Sequence, residues 1–136
     1  MVKASLLFVL VLAQFLFGYQ EQLHQTDKKY DQDSLRFVAW NIEHLAETDG
    51  EGCLPRYDED YQALRDYAES LDADIIALQE VESISAIARV FPEEEWNLVI
   101  SQRPSSDSYE CWGNGNPSTQ QRVGFAIRKG VQFEAL

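Results

Sequence analysis

The chain has 136 residues, of which 45% are hydrophobic, 12% aromatic and 25% charged. These values are typical of one modest folded domain and exclude a disordered chain. The formal net charge is -12 and no run of Lys or Arg is present, which disfavours a nucleic-acid-binding module. A metal-dependent enzyme is not excluded, because a bound divalent cation changes the local charge.

The N-terminal segment, residues 1–18, has the pattern of a secretory signal peptide. Lys3 precedes an apolar run, Leu6 to Leu12, that is too short and too interrupted to predict a membrane span. Cleavage after Gly18 is favoured over cleavage after Ala13, and an uncleaved membrane anchor is the alternative. The chain is therefore expected to be secreted, to an extracellular or periplasmic space, with no stable membrane association once the signal is removed.

A strand, a helix and a second strand are predicted next. Residues 19–33 are polar and lack apolar periodicity, which predicts a mobile leader, and the first strand follows at Leu35 to Ile42. The amphipathic helix is indicated by apolar residues at steps of four, three, four and three, namely Tyr57, Tyr61, Leu64, Ala68 and Leu71. The apolar run from Asp74 to Glu80 predicts a buried second strand.

The rest of the chain predicts one short helix and three further strands. The helix is capped by Ser83 and ended by Pro92, and a third strand follows at Trp96 to Ser101. A long loop at Gln102 to Gln121 leads to a fourth strand at Arg122 to Arg128. After a tight turn at Lys129-Gly130, a fifth strand begins at Val131. A loop of that length is usually functional or flexible.

The two cysteines, Cys53 and Cys111, both lie in polar, turn-rich segments. In an oxidising compartment such a pair favours a disulfide that joins two loops, with free thiols as the alternative. Together with His24 and His44 the cysteines form no recognisable zinc spacing, so zinc is not predicted.

Two polar side chains close the first two strands. Asn41 ends the first and Glu80 the second, and a strand-helix-strand unit of this spacing predicts a right-handed crossover with parallel strands. Both carboxyl ends then meet where open α/β sheets bind ligands. The buried Glu80 carboxylate requires a partner, and hard oxygen ligands favour Mg²⁺, with Mn²⁺ or Ca²⁺ as alternatives. From spacing alone, the alternative is a solvated Glu80 and a turn-capping Asn41.

The same strand ends resemble a known enzyme family. Trp40-Asn41-Ile42-Glu43 followed by Ala77-Leu78-Gln79-Glu80-Val81 resembles the start of the endonuclease/exonuclease/phosphatase superfamily, which includes pancreatic deoxyribonucleases, apurinic endonucleases, sphingomyelinases and inositol polyphosphate phosphatases. Leu35 to Thr48, Asp74 to Val81 and Arg122 to Val131 are most similar to the secreted deoxyribonuclease branch. The resemblance covers residues 34–136.

The resemblance implies an α/β (α+β) fold in which residues 34–136 form the N-terminal half of a four-layer α-β-β-α sandwich. It implies that Glu80 is a Mg²⁺ ligand, that Asn41 contacts the metal or the scissile phosphate, and that Glu43 is a further acidic residue near the metal. It also suggests that Arg122 points to phosphate. The alternatives are a surface acid at Glu43 and a solvated Arg122. The implied function is metal-dependent hydrolysis of DNA or another phosphodiester, above all by a secreted endonuclease.

The chain departs from this family in its second half. The His and Asp-x-Asn motifs with which family members activate water and bind phosphate have no counterpart before Leu136, and His44 matches none of them. Thr119, Gln120 and Gln121 stand where pancreatic deoxyribonucleases have a Tyr and a Glu. A single sheet would also leave an apolar face uncovered. The chain is thus expected to be the N-terminal part of a longer protein or a truncated product. The functional alternatives are a non-catalytic fragment and a sphingomyelinase-like or inositol-phosphate-phosphatase-like phosphoesterase.

Overall fold

The computed structural model describes residues 34–134, so the predicted signal peptide and leader lie outside the described residues. No helix in this part of the chain is long and apolar enough to cross a membrane. Its elements, in chain order, are β1 (Phe37–Leu45), α1 (Asp58–Ser70), β2 (Ile75–Val81), α2 (Ile84–Ala88), β3 (Trp96–Ile100) and β4 (Arg122–Arg128).

The four strands form one open, mixed sheet with the order β1-β2-β4-β3. β1 and β2 are parallel and are joined by α1, as the sequence predicts, whereas β4 is antiparallel to both of its neighbours. The predicted mixture of helices and strands is therefore confirmed. The carboxyl ends of β1 and β2 lie at the same edge of the sheet.

The helix α1 forms because its first turn and its apolar face both favour it. Asp58, Glu59 and Asp60 place negative charge at the positive end of the helix dipole, and the Asp60 carboxylate accepts from the Tyr57 N–H at 2.9 Å. Tyr61 and Ala68 are buried on the side that faces the sheet. The shorter helix α2 begins at the predicted cap, where the Ser83 hydroxyl accepts from the Ala86 N–H at 3.0 Å.

The hydrophobic core lies between the helices and one face of the sheet. Its largest fully buried side chains include Trp96, Phe91, Ile42, Ile76 and Leu78. Phe91 meets the Trp96 ring edge-to-face, with centroids 5.2 Å apart. Each such side chain contributes about 1.5 to 3 kcal/mol by its removal from water, so this layer holds the sheet and helices together.

The opposite face of the sheet carries apolar side chains that remain exposed. Phe37 on β1 is 58% exposed, and Val123 and Phe125 on β4 are 50% and 38% exposed. With Ile75 and Val99 they line an open apolar cleft of about 690 Å³. Among residues 34–134, neither helix covers this face, because both pack against the core side.

The predicted strand boundaries differ from the structure by up to three residues, and one predicted strand is not found among residues 34–134. β1 continues to Leu45, beyond the predicted end at Ile42, because a bulge lengthens the strand. The fifth strand predicted from Val131 is wrong for residues 131–134, which form no strand. β4 already pairs with β2 on one side and β3 on the other, so it offers no free edge for a hairpin partner.

Candidate functional site

β1 and β2 are both irregular where they carry the predicted site residues. Asn41 pairs with Gln79 but Leu45 pairs with Val81, so four steps along β1 match two along β2. The backbone is left-handed at Glu43 (φ 55°), His44 (φ 51°) and Glu80 (φ 61°). Such a conformation costs about 1 to 3 kcal/mol for a residue with a Cβ, and it is concentrated at functional sites. Bulges of this kind redirect side chains at sheet edges.

The side chains of Asn41 and Glu80 meet across the two strand ends. Asn41 Nδ2 donates to Glu80 Oε1 at 2.8 Å, and Asn41 Oδ1 accepts from the Glu43 N–H at 2.9 Å. A backbone N–H can only donate, so it fixes which end of the amide is oxygen and turns the NH₂ group to Glu80. Asn41 therefore acts on Glu80 as a hydrogen-bond donor. The Glu80 side chain is 29% exposed and remains open to solvent.

His44 lies beside the second carboxylate oxygen of Glu80. Its Nε2 is 3.8 Å from Glu80 Oε2, and its Nδ1 is 2.8 Å from the Nε2 of Gln121. The Gln121 amide nitrogen also donates to the Tyr109 hydroxyl at 3.0 Å. The same Gln121 nitrogen is 3.3 Å from the other ring nitrogen of His44, Nε2, and the tautomer of the ring decides which of the two accepts its hydrogen bond.

The His44 and Gln121 contacts were not predicted from the sequence. His44 matched no motif, and Gln121 was noted only as a departure from the family pattern. The two residues are 77 positions apart, and they meet because the β1 bulge turns His44 toward the start of β4. A periodicity of apolar residues carries no signal for a bulge, so only the structure shows this cluster.

Arg56 is a further residue that the sequence did not single out. It is 8% exposed, its Nη2 donates to the Ile42 carbonyl at 2.9 Å, and its Nη1 donates to the His44 carbonyl at 3.2 Å. Burial lowers the pKa of Arg56 from its usual value, and Tyr61 and Glu43 act in the opposite direction. The guanidinium thus binds the backbone of the β1 bulge from the core side.

The remaining predicted residues lie around the pair in different roles. Glu43 contributes its backbone N–H to Asn41, and its side chain is exposed. Arg122 Nη1 donates to the Glu82 carbonyl at 3.0 Å, and its Nη2 donates to the Ser105 hydroxyl at 3.2 Å. None of the hydrogen bonds described for Arg122 reaches Asn41 or Glu80. A phosphate contact by Arg122 stays a prediction.

The predicted disulfide between Cys53 and Cys111 is confirmed. It joins the β1–α1 loop to the long loop before β4, and the Asn116 amide strengthens the same junction by donating to the Gly50 carbonyl at 3.1 Å. Tyr109, which contacts Gln121, lies on the loop held in this way. A disulfide of this kind fits an extracellular location.

A metal ion at this site would have few protein ligands. Among residues 34–134, no group of three or more His, Cys, Asp or Glu side chains could hold a metal ion by itself. Mg²⁺ tolerates one or two carboxylate ligands when water and a substrate phosphate complete its shell, and Glu80 could be one such ligand.

No protein-family model, curated protein or solved structure matches this chain. The geometry around Asn41, His44 and Glu80 is therefore the main structural indication of function.

Proposed function

We propose that the chain is part of a secreted, Mg²⁺-dependent phosphodiesterase, an endonuclease of the endonuclease/exonuclease/phosphatase superfamily. The observation that carries the proposal is the 2.8 Å contact between Asn41 and Glu80 at the carboxyl ends of adjacent parallel strands. Ligand sites of open α/β sheets lie at such edges. Left-handed backbone at Glu80 and Glu43 adds support, because such strain is concentrated at functional sites.

In this proposal Glu80 is the metal ligand and Asn41 orients it. The amide of Asn41 binds Oε1 and so limits the rotation of the carboxylate, while Oε2 faces the imidazole of His44. A bound Mg²⁺ would polarise a phosphoryl oxygen and stabilise the leaving oxygen, with water as the nucleophile. A cation at Glu80 would also offset local negative charge, which a chain of net charge -12 needs before a phosphodiester can approach.

We extend the proposal to the fold, as one half of a four-layer α-β-β-α sandwich. The exposed apolar face formed by Phe37, Val123, Phe125 and their neighbours supports a second sheet packed on it. Contiguous apolar patches on soluble proteins are usually covered by another structure or serve as binding surfaces. The intact mass of the native protein tests this part, because a second sheet requires a chain well above the 15.6 kDa of these residues.

Secretion is supported by two independent features. The Cys53–Cys111 disulfide fits an oxidising compartment, and Lys3 followed by Leu6 to Leu12 fits a signal peptide. Sequencing of the N-terminus of the exported protein tests the proposed cleavage after Gly18. An N-terminus at Met1 in the exported protein would contradict the proposed signal cleavage.

The catalytic proposal is tested by plasmid nicking in MgCl₂ and in EDTA, with the full-length protein of which this chain is proposed to be part. We expect nicking only with Mg²⁺, and a loss of at least about 100-fold in rate for Glu80→Gln. The matched control is Glu82→Gln, two residues away, because the Glu82 carboxylate accepts from the Glu47 N–H at 2.7 Å and a Gln oxygen can keep that bond. Equal rates for both variants would contradict the role of Glu80.

The alternative functions are outcomes of the same experiment with other substrates. Sphingomyelin vesicles and inositol phosphates replace the plasmid, at the same Mg²⁺ concentration. Hydrolysis of either, with loss in Glu80→Gln, would keep the metal site and change the substrate. A folded full-length protein that hydrolyses none of the three substrates would contradict the enzyme proposal and favour a non-catalytic role.

A further inference from the structure

The buried guanidinium of Arg56 is bonded to backbone carbonyls on either side of Glu43. Its Nη2 donates to the Ile42 carbonyl at 2.9 Å and its Nη1 to the His44 carbonyl at 3.2 Å. A buried arginine normally pairs with a carboxylate, yet the two bonds described here both go to main-chain oxygens. The charge is thus placed against the most irregular stretch of β1, where Glu43 and His44 are left-handed.

One peptide group connects Arg56 to the Asn41–Glu80 pair. The Ile42 carbonyl and the Glu43 N–H belong to the same planar peptide and point in opposite directions. Arg56 binds the carbonyl from the core side, and Asn41 Oδ1 accepts from the N–H at 2.9 Å on the other side. Asn41 Nδ2 then donates to Glu80 Oε1 at 2.8 Å. Four groups therefore form one continuous chain of hydrogen bonds.

We propose that Arg56 is a positioning residue that holds the Ile42–Glu43 peptide in place and thereby sets the orientation of the Asn41 amide and the Glu80 carboxylate. The consequence for metal affinity rests on the proposed function, because it assumes that Glu80 binds Mg²⁺. The orientation itself does not depend on a metal. It requires that a change at Arg56 is felt at the Glu43 N–H and at the Asn41 side chain.

Arginine is suited to this place because of its planar fork. Two nitrogens of one rigid group reach two carbonyls that belong to residues on either side of Glu43. A lysine ammonium keeps the charge but is a compact point donor, so it would hold one carbonyl well at the expense of the other. Arg56→Lys therefore tests the fork and leaves the charge unchanged.

The experiment is amide hydrogen exchange by NMR on the full chain, comparing the wild type with Arg56→Lys. We expect the Glu43 N–H to exchange at least about tenfold faster in Arg56→Lys, and the Asn41 NH₂ signals to shift. The matched control is Arg65→Lys, because Arg65 Nη1 also donates to a backbone carbonyl, that of Arg89, on the helical side of the molecule. The control should leave Glu43 and Asn41 unchanged.

A merely structural role would give a different result. Loss of stability in general would speed exchange at the central pairs of β2 and β4 as much as at Glu43. Uniform acceleration in Arg56→Lys, or unchanged exchange at Glu43, would overturn the proposal. If Arg56→Lys does not fold, Asn41→Ala is measured instead, because Asn41 is exposed. That variant should shift the Arg56 Nη signals, and unchanged signals would likewise overturn the proposal.

Titration with MgCl₂ separates this proposal from the proposed function. In a wild type that binds Mg²⁺ at Glu80, Arg56→Lys should weaken binding about 10- to 100-fold, as loss of a group that orients a ligand does. Arg65→Lys should bind as the wild type does. A wild type that binds no Mg²⁺ would contradict the proposed function, and the exchange rate at Glu43 would still decide the role of Arg56.

Discussion

Asn41 donates its side-chain amide to Glu80 Oε1 across 2.8 Å, which joins the carboxyl ends of two parallel strands. The direction of this bond matters, because the oxygen of the same amide is engaged by the Glu43 N–H. Glu80 therefore faces a hydrogen-bond donor at this strand end. The most direct change at the site is one that reverses this polarity.

Asn41→Asp places a second carboxylate against Glu80. Repulsion between the two raises the pKa of the pair above the usual value near 4. With a raised pKa in the folded state, the free energy of unfolding is highest below the unfolded-state pKa near 4. It falls as the pH rises from there through the folded-state pKa. We expect a loss of about 1 kcal/mol at pH 7 relative to pH 4, measured by urea unfolding, with partial recovery in MgCl₂. Asn41→Ala is the control, and an equal loss at both pH values in Asn41→Asp would contradict this expectation.

Alkaline pH should destabilise the protein through Tyr61. Burial raises the pKa of this phenol above its usual 10.0, against the opposing effects of Arg89 and Arg56, and the hydroxyl donates to the Ala46 carbonyl at 2.9 Å. Above pH 10 the unfolded chain loses the proton first, so the free energy of unfolding falls as pH rises toward the folded-state pKa. Urea unfolding between pH 8 and 11 measures the slope. In Tyr61→Phe the free energy of unfolding should fall less steeply with pH than in the wild type. An identical slope in both proteins would refute the contribution of Tyr61.

Reduction of the Cys53–Cys111 disulfide should lower the free energy of unfolding by about 2 to 4 kcal/mol, because the bond closes a loop across a sequence separation of 58 residues. Urea unfolding with and without a reductant measures the difference. The double variant Cys53→Ser with Cys111→Ser is the control, since its stability should be low and indifferent to reductant. A midpoint that does not move on reduction of the wild type would speak against a stabilising bond.

Gly124→Ala should destabilise the centre of the sheet by about 1 to 3 kcal/mol. A Cβ at this position would lie 2.7 Å from the Val99 carbonyl oxygen and 2.9 Å from Ile87 Cδ1, and the backbone oxygen belongs to the paired strand and cannot move freely. Ala39→Val is the control, because it adds carbon atoms to an exposed position of β1. We expect its effect to stay within about 0.5 kcal/mol in the same urea unfolding experiment. Equal losses of unfolding free energy in the two variants would contradict this prediction. They would show that the neighbours of Gly124 move to make room for a Cβ.

The sequence by itself determined the local elements and the crossover. Apolar steps of three and four predicted α1, an unbroken apolar run predicted β2, and Ser83 marked the start of α2, because these signals depend on neighbours a few residues away. The parallel pairing of β1 and β2 followed from the handedness of such connections. The disulfide could be predicted because the chain offers only two cysteines.

The tertiary structure alone decided how the site is assembled. The bulge in β1 exists only relative to its pairing with β2, so no periodicity along one strand could indicate it. Arg56 and Gln121 join the site because distant loops are brought to that bulge, and the fifth strand fails because β4 is already paired on both sides. Local propensity acts over a few residues, whereas register, bulges and buried polar contacts depend on which segments meet after folding.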